Sequence, residues 1–259
     1  MNIKSKELKN LLYYCLGVLL IAVIMQIISI ASDSTGVFVP SILQIGSDFF
    51  KVLTLKETYI AIINTLKSLI ISVTLAAVIG LLLGTIASQK KQIYLVLKPI
   101  MAVFRILPII ILITILMLSL AYENIPVIAS VLVLVSIFYE GTYQGMININ
   151  KDLLDVYKLN SKTNLHVIFK VHLPLISSYS KTAYINSLGM GIKVLIAVGY
   201  MTGENNTITK LIMNAKNDLN YSYVYAYSLI IILLVPIIEF LPYIIIWIKN
   251  YIMKLIIQK

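Results

Sequence analysis

Charged side chains set inside long apolar runs are the first candidates for chemistry in this chain. Arg105 is the single arginine among 21 basic residues and stands between Pro99 and Pro108. Its guanidinium stays charged and can fork two hydrogen bonds to an anion. Two roles are open to it: contact with a passing anion, or a structural role in which it pairs with a neighbouring helix or snorkels to the interface. Lys193 follows Gly189-Met-Gly191 near the middle of another run, and Glu140 and Glu239 are the carboxylates able to meet these cations. An isolated charge at span depth costs about 2.5–3.5 kcal/mol on insertion scales. Arg105, Lys193 and Glu140 are therefore the candidates for a substrate path. Lys67 and Lys181 lie within reach of an interface, where snorkelling accounts for them.

A second group sits in the longest polar segment, residues 147–173. There Asp152, Leu153, Leu154, Asp155, Val156, Tyr157, Lys158 and Asn160 follow one another closely. Their pattern predicts a short helix with an acidic and an apolar face. Asn148 or Asn150 is placed to cap it, Asp152 suits the positive helix end, and Asn160 can adopt the left-handed stop. Such a helix docks in a partner's groove or lies on the membrane surface.

Other chemistry is missing. No G-x4-G-K-[ST] cradle for nucleotide phosphates is present, and Gly84-Thr-Ile-Ala-Ser-Gln-Lys90 has the wrong spacing. There is no H-E-x-x-H, paired cysteine or carboxylate cluster to hold a metal, and no Ser/His/Asp set. His166 and His172 read as solvated or capping side chains on the polar segment. The single Cys15 cannot form an internal disulfide. Intrinsic enzyme activity is not expected.

The elements that must carry these residues are membrane helices. The chain has mean hydropathy +0.94, with 59% hydrophobic and 12% charged residues, about half the usual charged fraction of a soluble domain. A span needs about 20 apolar residues, and six continuous runs qualify: 11–30, 58–87, 99–119, 126–146, 174–201 and 221–247. The runs do not alternate, which excludes a β-barrel. With both termini placed inside, 13 lysines fall on inner segments and four on outer ones. The positive-inside rule explains the net charge of +10 without nucleic acid. Residues 42–53 have the stripe of a short amphipathic helix at the outer surface. Gly80-x3-Gly84 and Gly141-x3-Gly145 have the spacing that lets membrane helices approach closely. Pro108 and Pro236 interrupt runs.

Taken in order over residues 38–247, the chain resembles the ABC-importer permeases of the nitrate/sulfonate/taurine type. Asp155, Val156, Tyr157 and Asn160 resemble that family's coupling-loop E-A-A-x3-G, with Asn160 one position short of its Gly, and Leu173-Pro174 falls at its end. Phe38-Val-Pro-Ser41 resembles the outer "lPSP" segment, and Asn64-Thr-Leu-Lys67 is similar to "TL-R". Pro99 through Arg105 to Pro108 resembles "P-x5-R-x-x-P", and Thr142-Tyr-Gln-Gly145 resembles "nt-x-G". Gly199-Tyr200-Met201 departs from the family's acidic residue before Met, and Thr207-Ile-Thr209 from its G-x-G. Val156-Tyr157 is bulkier than Ala-Ala.

The resemblance implies an all-α, six-span permease of the type I importer fold, paired with a second copy of itself. Two cytoplasmic ATPase subunits would engage residues Asp152 to Asn160, and ATP and magnesium would sit on those subunits; this chain would bind no cofactor. An extracytoplasmic binding protein would deliver the solute, a sulfonate, nitrate or a vitamin precursor. The location implied is a bacterial cytoplasmic membrane, with both termini in the cytoplasm and lipid around the spans. Two rival readings stand beside it. One is a secondary transporter needing no ATPase, which inverted repeats would favour. The other is a membrane-embedded enzyme or scaffold.

Overall fold

A computed structural model describes residues 3–32, 39–149, 170–171 and 173–257. Among them there are helices and turns but no strand. The helices are α1 (Ile3–Ser32), α2 (Ile42–Thr54), α3 (Lys56–Gln89), α4 (Lys91–Ile106), α5 (Ile109–Met117) and α6 (Ile125–Ile147). After the polar segment come α7 (Ser177–Thr202), α8 (Ile208–Asn217) and α9 (Tyr221–Ile257).

Four described helical stretches are long and apolar enough to cross a membrane: Lys56–Gln89, Tyr122–Ile147, Ser177–Thr202 and Tyr221–Phe240. A fifth results if α4 and α5, bent by 99° at their break, count as one span. The run expected at 99–119 differs in form. The helix begins at Lys91 and carries Pro99 in its interior. It breaks at Leu107-Pro108, where Pro108 pushes the preceding residue to ψ 122°. The expected span at 11–30 lies within α1, whose described apolar part, Leu19–Ala31, is shorter than a span.

α3, α6 and α7 form the centre. The Gly80 and Gly84 spacing is a real contact: a Cβ on Gly80 would lie 2.9 Å from the Val135 carbonyl, and one on Gly84 2.7 Å from Thr142 Cβ. The opposite side of α6 uses Gly141 and Gly145, where Cβ atoms would meet Ala183 and Ile176 at 2.9 Å. Small residues at both contacts let α3 and α7 close on α6 without a hydrophobic force, which lipid does not supply. Leu69, Val73, Leu134, Phe138, Leu188, Ile192 and Leu195 fill the interface.

The other helices assemble around this trio. α5 adds Leu112 and Ile113 against Val133, Val194 and Val198. At the end of the bundle that carries α2, a second cluster unites Val52, Ala61, Ile208, Ala226, Tyr227 and Ile230 from α2, α3, α8 and α9. Ser41 caps α2 by accepting from the Gln44 amide at 3.3 Å. α1 is tied to this end through Gln26, which accepts from the Ile42 amide, and Ser29, which donates to the Val39 carbonyl.

Candidate functional site

The break between α4 and α5 puts Arg105 against α6. Its Nη2 donates to the Ser136 carbonyl at 3.4 Å and lies 3.8 Å from Glu140 Oε2. One turn separates Ser136 from Glu140, so a single guanidinium spans both. Glu140 Oε1 accepts from Gln144 Nε2 at 2.8 Å, again one turn away. The pair is neither sealed inside the protein nor fully paired: the side chains are 53% and 41% exposed. They border an open cleft of about 530 Å³ whose far wall is α7, through Ser178, Tyr179, Thr182, Ala183 and Asn186.

α7 extends this surface. Thr182, Asn186, Lys193 and Tyr200 are exposed along one helical face, at spacings of four and seven residues. Lys193 lies on that face but outside the cleft that holds Arg105 and Glu140. Beyond it, Tyr200 Oη accepts from Lys216 Nζ of α8 at 2.9 Å, and the ammonium stands 5.5 Å from the ring. This contact raises the Lys216 pKa, chiefly through its hydrogen bond to Tyr200. Glu239 does not meet Lys193 or Arg105. Its carboxylate packs on Gly189, where any Cβ would strike it.

The α2 end is fastened by polar contacts. Asp48 is buried, and its carboxylate accepts from Lys51 Nζ at 2.7 Å and from the Ser222 hydroxyl of α9 at 2.5 Å. The hydrogen bond from Lys51, followed by that from Ser222, holds the Asp48 pKa below the ordinary carboxylate value. The turn after α7 is closed by Gly203 at φ 67°, a left-handed stop. It then folds back on α3: Asn64 donates to the Asn206 carbonyl, Thr65 accepts from the Ile208 amide, and Ser68 donates to Glu204 at 3.4 Å. Burial pushes the Glu204 carboxyl above its ordinary pKa. Its Oε2 would lie 3.4 Å from a Cβ on Gly199, and Thr209 Oγ1 takes the remaining room. A carboxylate thus stands beside Gly199 although the sequence at 199–201 carries none.

The structure brings together two of the three path candidates, Arg105 and Glu140, and leaves Lys193 on an adjoining surface. The candidates Asp152, Leu153, Leu154, Asp155, Val156, Tyr157, Lys158 and Asn160 lie outside the described residues. Gln144, Thr182, Asn186 and Glu204 escaped the sequence reading. The signal for the first three was present: Gln144 stands four residues after Glu140, and Thr182, Asn186 and Lys193 repeat at helical spacing. Glu204 had no such signal, because only the fold-back onto α3 makes it half-buried.

The family described as "Binding-protein-dependent transport system inner membrane component" matches residues 76–246. Among curated proteins, no match to the chain is found. The matched stretch runs from the middle of α3 into α9 and contains the whole Arg105–Glu140 cleft and the polar face of α7. The polar groups of the Arg105–Glu140 cleft and of α7 lie inside the matched stretch, and this chain belongs to the family of binding-protein-dependent transport system inner membrane components.

Proposed function

We propose that the chain is the solute-conducting permease subunit of an ATP-driven importer, and that it works as a pair of identical copies. The observation that carries this is the half-exposed Arg105–Glu140 pair inside a bundle of span-length helices. Lipid tails would leave two such charges at a cost of several kcal/mol. Water in a path, or a second copy, removes that cost. The polar face of α7 prolongs the same surface. Family membership supports a partnership with ATPase and substrate-binding subunits. Here the ATPases, carrying ATP and magnesium, engage the segment 150–162 through its acidic and apolar side chains, and their closure tilts the spans. Both termini face the cytoplasm of a bacterial cell, in keeping with the bias of 13 inner to four outer lysines.

The test is a reconstituted complex. The tagged chain is purified from its native membrane and chains bearing a nucleotide-binding G-x4-G-K-[ST] motif are identified beside it. Solute-stimulated ATP hydrolysis is then measured for the parent and for Asp155→Lys. The expected outcome is an inserted variant that has lost stimulated hydrolysis. Normal uptake by Asp155→Lys, or uptake by the chain with no ATPase present, refutes the proposal and favours a secondary transporter.

A further inference from the structure

We infer that the cleft between α4, α6 and α7 is a site for a small zwitterion, a solute bearing an ammonium and an anionic oxo group together. The inference rests on the permease reading only in calling the occupant cargo; the binding chemistry stands by itself. The cleft carries one full charge of each sign, Arg105 and Glu140, at 3.8 Å. That separation exceeds a hydrogen bond, so the two groups neutralise each other's field without consuming each other's hydrogen-bonding capacity. A guanidinium has five N–H donors. Besides facing Glu140, Arg105 uses Nη2 for one long bond to the Ser136 carbonyl. Glu140 holds Oε1 to Gln144 and leaves Oε2 facing Arg105 and the cleft.

Electrostatics then selects the occupant. A monoanion drawn to Arg105 is repelled by Glu140 at nearly the same range, and a monocation meets the opposite pair of forces. With comparable distances the two Coulomb energies largely cancel in either case. A zwitterion places its anionic end on Arg105 and its ammonium on Glu140, gaining from both while the site stays neutral. The remaining walls suit a polar body: the Asn186 amide stands in the cleft, and Thr182, whose hydroxyl donates to the Ser178 carbonyl, keeps acceptor capacity. The volume of about 530 Å³ admits a small molecule with its water.

The experiment reads occupancy without transport. A reporter thiol is placed on the cleft wall as Ser178→Cys in a Cys15→Ser background, and alkylation by N-ethylmaleimide is timed on the purified full-length chain. The probes share three carbons: β-alanine, propionate, propylammonium and propionamide. β-Alanine is expected to slow labelling about fivefold at about four times its Kd, the factor 1 + [L]/Kd, with the other three leaving the rate unchanged. Glu140→Gln is expected to transfer protection from β-alanine to propionate. The exchange Arg105→Glu with Glu140→Arg is expected to retain protection by β-alanine, which also shows that loss in the single variant is not misfolding. Equal protection of the parent by propionate makes this an anion site and overturns the proposal. Equal protection by propionamide makes it a neutral-solute site, and no protection by any probe removes the site; both overturn it. A zwitterionic lipid headgroup offers the same chemistry, so labelling is repeated in vesicles of phosphatidylglycerol with and without phosphatidylethanolamine. Slowing by phosphatidylethanolamine alone, without added solute, assigns the cleft to lipid and overturns the solute reading. Association with an ATPase is scored separately, so its failure leaves the binding result intact.

Discussion

At the scale of single residues, Arg105 differs from every other cation in the chain. It is a fork whose Nη2 faces two oxygens one turn apart on α6, donating to the Ser136 carbonyl and standing 3.8 Å from Glu140 Oε2. A lysine keeps the charge and loses the geometry. Arg105→Lys is expected to lower initial uptake by about tenfold, equivalent to about 1.4 kcal/mol, while the complex with the ATPase persists on a sizing column. Uptake at the parent rate in Arg105→Lys, combined with failed assembly of Arg105→Ala, would make the residue structural. The sequence made Arg105 and Glu140 candidates because charge is rare at that depth. It could not pair them, since 35 positions separate them and only the break at Leu107-Pro108 turns α4 so that its last turn meets α6.

Single elements show how the bundle is closed and how its α2 end is fixed. α3 and α6 approach because Gly84 has no side chain: a Cβ there would sit 2.8 Å from the Tyr139 carbonyl, which cannot rotate away. Gly84→Ala is expected to destabilise the fold by about 1–3 kcal/mol through overpacking. Gly46→Ala meets nothing within 4 Å and is expected to be neutral or to stabilise α2 by up to about 1 kcal/mol. Thermal unfolding in detergent compares the two, and equal melting temperatures would deny that the glycine contact matters. α2 itself is held by Asp48. Asp48→Ala is expected to remove about 1.5–3 kcal/mol of charged hydrogen bonding and to speed amide exchange over residues 42–54. Because the folded pKa of Asp48 is depressed, this attachment is fully present above the ordinary carboxylate pKa and fades as pH falls through the lowered value. Protection over α2, taken relative to the intrinsic exchange rate at each pH, should therefore fall in acid for the parent and not for Asp48→Ala.

Across the whole molecule, polarity is divided between two ends. α2, α8 and the turn 203–207 gather at one end, while the Lys90 turn and the two sides of the polar segment meet at the other. α9 alone runs 37 residues, about 55 Å at the usual rise, so its C-terminal end lies far from the α2 end. Reporter fusions at Lys259 and at Asn206 are expected to report the cytoplasm and the outside respectively, in line with the lysine bias. Both reporters on one face of the membrane would end the topology proposed here.

The sequence by itself determined the class of this protein, because hydropathy decides the solvent of each run before any contact forms. It also marked Gly80, Gly84, Gly141 and Gly145 as close-approach positions, and the polar face of α7 was present as a helical repeat. Periodicity along one helix says which residues share a face; it does not say which face of another helix they meet. The tertiary structure decided that α6 lies between α3, whose Gly80 and Gly84 face it, and α7, towards which it turns Gly141 and Gly145. It joined Arg105 to Glu140 through a bend that Pro108 signals in the sequence but whose angle, 99°, only the packing sets. It also returned Glu204 to the space beside Gly199, a contact fixed by the left-handed turn at Gly203 and by hydrogen bonds to α3 more than 130 positions away.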